Sequence, residues 1–230
     1  MRGDHVAARI LRGDAGALHD RPIVPSAGVE VLQIEQAAVV LGSTQSFEVV
    51  NAPAADGLGC AVVRRRSGGG VVVLQPNDHV WIDVTVPRGH RLWNDDVEQA
   101  TWWVGETWCE VLRDIDPKCR WSVHREKLVA TPPERVVCFA SVGPGEVVRH
   151  GTDGAQQKVV GISQRRTKDA ARFQCTLFRA IDMELYASVM SGGVPASLAN
   201  AAGVGDGLDE AGRRGAAALV ISLGSAEHTR

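Results

Sequence analysis

The apolar residues of this chain come in short runs. In the first half these are Val29 to Ile34, Ala37 to Leu41, Cys60 to Arg65, Val71 to Leu74 and Val80 to Val86, each closed by glycine, proline or polar residues. In the second half they are Arg120 to His124, Val136 to Val142, Glu146 to Arg149, Lys158 to Ser163 and Arg172 to Phe178. Runs of this length make strands, and none approaches the roughly 18 residues that span a bilayer. In Trp81 to Val86, the residues Trp81, Asp83 and Thr85 alternate with Ile82, Val84 and Val86, which predicts a strand with one face buried. Val29 to Ile34 and Ala37 to Leu41 are expected to be neighbouring strands.

Helical spacing is confined to few places. Asn94 to Arg113 carries Val97, Thr101, Val104, Trp108, Val111 and Leu112 at helical intervals, with Asn94 as N-cap and Asp95, Asp96 and Glu98 in the first turn. A weak helix is expected over Phe47 to Asp56, limited by Pro53, and another over Asp182 to Met190. Many strands with few helices predict an α+β fold with a mixed, mostly antiparallel sheet flanked by helices. The 230 residues, 44% of them hydrophobic, suit a single domain over 1–230. Residues 1–28 read as an irregular N-terminal segment and 191–230 as a flexible or helical tail, without an accessory C-terminal domain.

The charge balance, 25 Lys and Arg against 27 Asp and Glu, argues against nucleic acid as a partner. The cysteines Cys60, Cys109, Cys119, Cys138 and Cys175 form no CxxC pair. They predict neither a disulfide framework nor a zinc site, and a reducing cytoplasm as the location. His79, His90, His124 and His150 are not at metal-ligand spacing. No signal peptide and no membrane association are expected. Arg165, Arg166 and Lys168 read as a solvated basic edge.

Two stretches point to chemistry. In RRRSGGGVVVL, residues 64 to 74, consecutive glycines permit positive φ, and their amides can cradle an anion. A tight sheet turn is the ordinary alternative. In QQKVVGISQRR, residues 156 to 166, Lys158 precedes an apolar strand containing Gly161. Such a lysine is usually solvated; held in a cleft, it neutralises phosphate and polarises a carbonyl.

Together these stretches resemble the signature blocks of the lipoate–protein ligase A family, within the biotin/lipoate protein ligase superfamily. They stand here as Arg65-Arg66-Ser67-Gly68-Gly69-Gly70 and Lys158-Val159-Val160-Gly161-Ile162-Ser163-Gln164-Arg165, with Val39 to Gln45 as a third block. The resemblance covers roughly residues 30 to 190. It implies that lipoate or octanoate is activated with ATP and Mg as an acyl-adenylate, then passed to a lysine of a lipoyl-domain carrier protein. Arg65, Ser67 and the backbone of Gly68, Gly69, Gly70 and Val71 would line the carboxyl and phosphate end. Gly161 and Ser163 would complete the binding site, and Lys158 would bridge the phosphate and the acyl carbonyl. As an edge residue, Lys158 is expected to be removable without loss of the fold.

The pair Cys138-Phe139, followed by Gly145-Glu146-Val147-Val148, is similar to a second branch, the cysteine-dependent octanoyltransferases. These take octanoate from acyl carrier protein through a thioester and use no ATP. A buried, inert Cys138 is the plain alternative, and Cys175 reads as core. The family usually reads His-Asp where this chain has Leu74-Gln75, which leaves a non-catalytic acyl-binding homologue as a third reading. The missing accessory domain leaves room for a separate accessory partner.

Overall fold

The computed structural model describes residues 7–128, 130–152 and 154–225. Residues 1–6 of the N-terminal segment and 226–230 of the tail lie outside them. In chain order the elements are β1 (Ala8–Gly13), α1 (Ala15–Asp20), β2 (Gly28–Ile34), β3 (Ala38–Leu41), α2 (Ala52–Gly57), β4 (Ala61–Arg64), β5 (Val72–Leu74) and β6 (His79–Pro87). There follow α3 (Trp102–Ile115), β7 (Arg120–Val123), β8 (Val147–His150), β9 (Gln156–Arg166), β10 (Ala170–Phe178), α4 (Met183–Val189) and α5 (Leu208–Gly224).

The strands form a seven-stranded sheet, ordered β1-β2-β6-β10-β9-β8-β7, and a three-stranded sheet, ordered β4-β3-β5. In the large sheet only β1–β2 is parallel. The α+β expectation therefore holds. The expectation that the runs at Val29 and Ala37 are neighbours does not, because β2 and β3 belong to different sheets.

One face of the large sheet carries Val29, Ile82, Val84, Phe173, Cys175 and Val160, packed in one core with Val104, Trp108 and Leu112 of α3 and Leu208 and Leu219 of α5. The amphipathic pattern of α3 fixes this contact. Its start differs from the expected Asn94. The Asn94 side chain accepts from the amide of Asp96, and the Asp96 side chain accepts from Glu98 and Gln99. These local bonds hold the chain in turns, so a 3-10 turn forms only at Gln99–Thr101 and the α-helix begins at Trp102, eight residues after Asn94.

The opposite face meets the small sheet. In β6 this is the polar face, yet Trp81 and Asp83 are as buried as Ile82 and Val84. The predicted half-exposed strand is buried on both sides because the small sheet and α1 cover it. Asp83 is accommodated by ion pairs to Arg21 at 3.0 Å and Arg172 at 3.6 Å, and by the Trp81 indole N–H at 2.8 Å.

The N-terminal segment is structured rather than irregular. Asp14 caps α1 by accepting from the Ala17 amide at 2.8 Å, and α1 buries Leu18 and His19. Asn51 caps α2, with Pro53 in its first turn, where the missing N–H costs nothing. The segment after α4 is also packed: Leu198 is fully buried, and the Ala202 amide donates to the Lys158 carbonyl at 2.8 Å.

Candidate active site

The two sheets enclose a cleft. Its position follows from the register of the large sheet, where Gly161 pairs with Thr176 and Ser163 with Gln174 across β9–β10, and Thr176 with Trp81 and Gln174 with Asp83 across β10–β6. Side chains alternate along strands, so these residues share the face turned toward the small sheet.

Lys158 is odd in this pattern. Counting back from Gly161 by strict alternation puts it on the opposite face. The β8–β9 register supplies the reason: Val147 pairs with Val160 but Val148 pairs with Lys158, which leaves Val159 as an extra, unpaired residue. This β-bulge reverses the alternation and turns Lys158 into the cleft, where its Cε lies 3.5 Å from where a Cβ on Gly161 would sit. Lys158 is thus within β9, not before it, and is only 2% exposed.

Its ammonium contacts Glu146 Oε2 at 2.7 Å, the carbonyl oxygens of Cys138 at 2.8 Å and Ser141 at 3.1 Å, and the Cys138 sulfur at 3.8 Å. Three donors thus meet three oxygen acceptors. Burial opposes the charge, but Cys138 and Glu146 outweigh it and raise the pKa above the ordinary lysine value. Glu146 is itself fixed, accepting from the amides of Gly143 at 2.7 Å and Ile162 at 3.2 Å. The expectation of a dispensable edge lysine is therefore corrected: the side chain belongs to a buried ion pair.

The glycine loop comes in from the small sheet. Arg65 lies beneath it and donates to the carbonyls of Gly68 at 2.7 Å and Gly70 at 2.9 Å, and to Val40 at 3.4 Å. Arg65, expected at the carboxyl and phosphate end, lines the cleft and also holds the loop with its guanidinium. Because a trans peptide points its C=O and N–H in opposite directions, a Gly68 carbonyl held by Arg65 turns the Gly69 amide away from the guanidinium. Among the described residues no protein group accepts from that amide. Gly69 has φ of 99°, and a Cβ on Gly70 would lie 2.6 Å from the backbone of Val137 and Cys138.

Val71 is also committed. Its amide donates to Val136 and its carbonyl accepts from Cys138 at 3.0 Å, which ties the loop to the Cys138 segment. Ser67 accompanies Ser163 at 3.1 Å and donates to Gln174 at 2.9 Å. Gln45, from the third sequence block, donates to the Val136 carbonyl at 2.9 Å. The other two arginines of the run lie outside the cleft, Arg64 over the Phe47 ring and Arg66 paired with Asp20.

The expected strand over Val136 to Val142 is not formed. Only Val137 makes a bridge, to Val71, and Cys138–Ala140 is a 3-10 turn. That turn places Cys138 where two lobes of the cleft meet. One lobe is polar, lined by Gly69, Gly70, Gln45, Glu146 and Lys158. The other is largely apolar, lined by Val72, Leu74, Trp81, Phe139 and Ile162. Cys138 lines both. Cys175, by contrast, is fully buried, and burial pushes its thiol up to about 12, in keeping with a core residue. Among the described residues no group of His, Cys, Asp or Glu is placed to hold a metal, and no helix is long and apolar enough to cross a membrane.

The two-sheet fold that frames this cleft is that of the lipoate protein ligase class. Within that class, the family "lipoyl protein ligase A/B catalytic domain" matches residues 25–204, and this chain belongs to it. It is an enzyme of the lipoate–protein ligase kind. Among solved structures, the protein Ta0514 of T. acidophilum with bound lipoic acid aligns with a TM-score of 0.67 at 15% identity, covering 95% of this chain and 86% of that one. A lipoate-protein ligase A bound with ATP aligns with a TM-score of 0.67 at 15% identity, over 96% and 85% of the two chains. The bi-partite lipoate protein ligase of T. acidophilum, solved in work that includes its E2 lipoyl domain, gives 0.66 at 15% identity, over 95% and 84%. No curated protein matches the sequence.

Sequence reading did not single out Glu146, Gln174 or His19 as site residues. Glu146 stood in a quoted block and could have been found as the one acidic residue between Cys138 and Arg149. Nothing local marks the other two, which reach the cleft only through tertiary contacts.

Proposed function

We propose that this protein attaches lipoate or octanoate to a lysine of a lipoyl carrier domain through an activated acyl intermediate. The observation that carries the reading is convergence: the Lys158 ammonium and the Gly69 amide, from distant parts of the chain, line one polar lobe that continues into an apolar one. The lining of the apolar lobe suits an acyl chain, which must widen its present volume of about 40 Å³ on entry, and the polar lobe suits the carboxyl carbon and the group that activates it. Lys158 exchanges one of its carbonyl partners, Cys138 or Ser141, for the acyl oxygen and keeps Glu146. It then holds the negative charge that develops as the incoming amine attacks, and a fixed donor of this kind is typically worth a factor on the order of 100 to 1000 in rate.

In the primary form the activated species is an acyl-adenylate made with ATP. The Gly69 amide and Lys158 fit the phosphate end. The polar lobe holds one carboxylate, Glu146, already bonded to Lys158, so magnesium would be carried by the nucleotide's phosphates. Leu74-Gln75 in place of His-Asp fits an apolar wall, since Leu74 lines the acyl lobe. The lipoyl domain is the proposed acceptor, and a separate accessory chain is a proposed partner in the reaction. The cytoplasm is the proposed setting.

One observation favours a second form. The Cys138 sulfur lies at the junction of the lobes, 3.8 Å from the Lys158 ammonium, placed to form an acyl thioester with octanoyl–acyl carrier protein as donor. The test uses both donors. Pyrophosphate release from ATP, magnesium and octanoate, retained in Cys138→Ser, supports the adenylate. An octanoyl adduct formed without ATP and lost in Cys138→Ser supports the thioester. Neither product, with octanoate still raising the melting temperature, would leave acyl binding without catalysis.

A further inference from the structure

His19 is the polar outlier of the acyl lobe. It is 8% exposed, it lines the lobe with Trp81 and Leu74, and its ring lies 4.2 Å from the Trp81 ring. Among the described residues neither ring nitrogen has a hydrogen-bond partner. Burial, together with Arg65 and Arg21, lowers its pKa to about 3, so the ring is neutral near pH 7 and offers one N–H donor and one acceptor nitrogen. A buried polar group left unpaired costs about 1–3 kcal/mol, so its presence in a ligand lobe needs a reason. Its origin is also particular: α1 precedes residue 25, where the family match begins.

The distance suits the end of an acyl chain. Trp81 is two strands from Gly161, through Thr176, which is roughly 10 Å of interstrand spacing from the Lys158 side of the cleft. A chain whose carboxyl carbon sits at Lys158 therefore brings its far end toward His19. Octanoate presents only methylenes and a terminal methyl there and leaves the imidazole dehydrated and unpaired. Lipoate presents the sulfurs of its dithiolane ring.

We infer that His19 is a specificity-determining residue that selects a sulfur-bearing lipoyl chain over a plain octanoyl chain by hydrogen bonding at the distal end of the lobe. The inference rests on the acyl-site reading above. Its test is calorimetric titration of the intact protein with lipoate and with octanoate, for wild type, His19→Phe and His19→Gln, with circular dichroism to confirm folding. Wild type should bind lipoate more tightly. His19→Phe should reduce the ratio of the two affinities by about fivefold or more, the scale of one modest hydrogen bond. His19→Gln, which keeps a donor and an acceptor, should retain most of the preference and guards against a Phe variant that fails to fold. Equal affinities in wild type, an unchanged ratio in His19→Phe, or loss of preference in a folded His19→Gln would overturn the role of His19. Failure of wild type to bind either acid would instead overturn the acyl-site reading itself.

Discussion

Lys158 is the residue on which most depends. It is joined to Glu146 in a pair that is 2% and 8% exposed at the side chains. Breaking such a pair leaves a buried, uncompensated charge and typically costs about 3–5 kcal/mol. Lys158→Met should therefore lose acyl transfer and lower stability in denaturant unfolding. The double variant Lys158→Met/Glu146→Gln should regain most of the stability and none of the activity. Recovery of activity in the double variant would remove Lys158 from the chemistry. The stability due to Lys158 is present below the ordinary lysine value of 10.5 and is lost as pH rises through its raised folded value.

His19 has the opposite pH signature. Its folded pKa of about 3 lies below the ordinary 6.5, so the unfolded chain takes up the proton first as pH falls. The stability linked to His19 is present above 6.5 and is lost between 6.5 and 3, by up to about 1.4 kcal/mol for each pH unit crossed. Chemical denaturation at pH 7, 5.5 and 4 should show a shallower acid decline in His19→Gln than in wild type. Parallel declines would mean that the ring is protonated in the fold.

At the scale of elements, the bulge in β9 matters more than any propensity. Inserting an alanine between Val147 and Val148 gives Val159 a partner and restores plain alternation, which sends Lys158 toward the α3 and α5 face. Such a protein should lose activity and stability together, whereas Val159→Ala, which keeps the bulge and removes only buried methyls, should lose stability by about 1–2 kcal/mol and keep turnover. The glycine loop makes a parallel case. Gly70→Ala drives a methyl into the Val137–Cys138 backbone, and because backbone cannot swing aside, the Cys138 turn must move. Activity should fall by tenfold or more, checked in the same assay.

These elements also show what was legible beforehand. β5, β6, β9 and β10 were readable because buried strands are written as continuous β-branched runs. The start of α3 was not, because Asn94 and Asp96 look like caps but serve turns. The strand expected at Val136 failed because 3-10 turns at Glu134–Val136 and Cys138–Ala140 break it, and its backbone bonds to Val71 of the glycine loop and to the Gln45 side chain rather than to a sheet edge. The bulge is invisible in sequence: Lys158-Val159-Val160 reads the same with either face inward. The glycine loop and Lys158 were legible through spacing and family resemblance, whereas His19 and Gln174 reach the cleft only by folding.

At the scale of the whole molecule, one sheet serves two cores. Its α3 and α5 side is a conventional helix-on-sheet layer, sealed where Trp108 packs on Gly215; a Cβ there would come within 2.4 Å of the indole. Its other side is partly polar, because the cleft needs Ser163, Gln174 and Asp83 held in place. Gly215→Val should therefore cost about 1–3 kcal/mol of stability, by overpacking, without changing the pyrophosphate or thioester assays at a temperature where the variant is folded. A change in those assays would show that the two layers are coupled.

The most direct measurement of the central claim is the mass of a purified lipoyl domain after incubation with this protein. Two donors are offered in parallel: lipoate with ATP and magnesium, and octanoyl–acyl carrier protein without ATP. Wild type is predicted to add one acyl group to the domain's lysine from at least one donor, and Lys158→Met/Glu146→Gln to add none. An unmodified domain with both donors, or undiminished modification by the double variant, would contradict it.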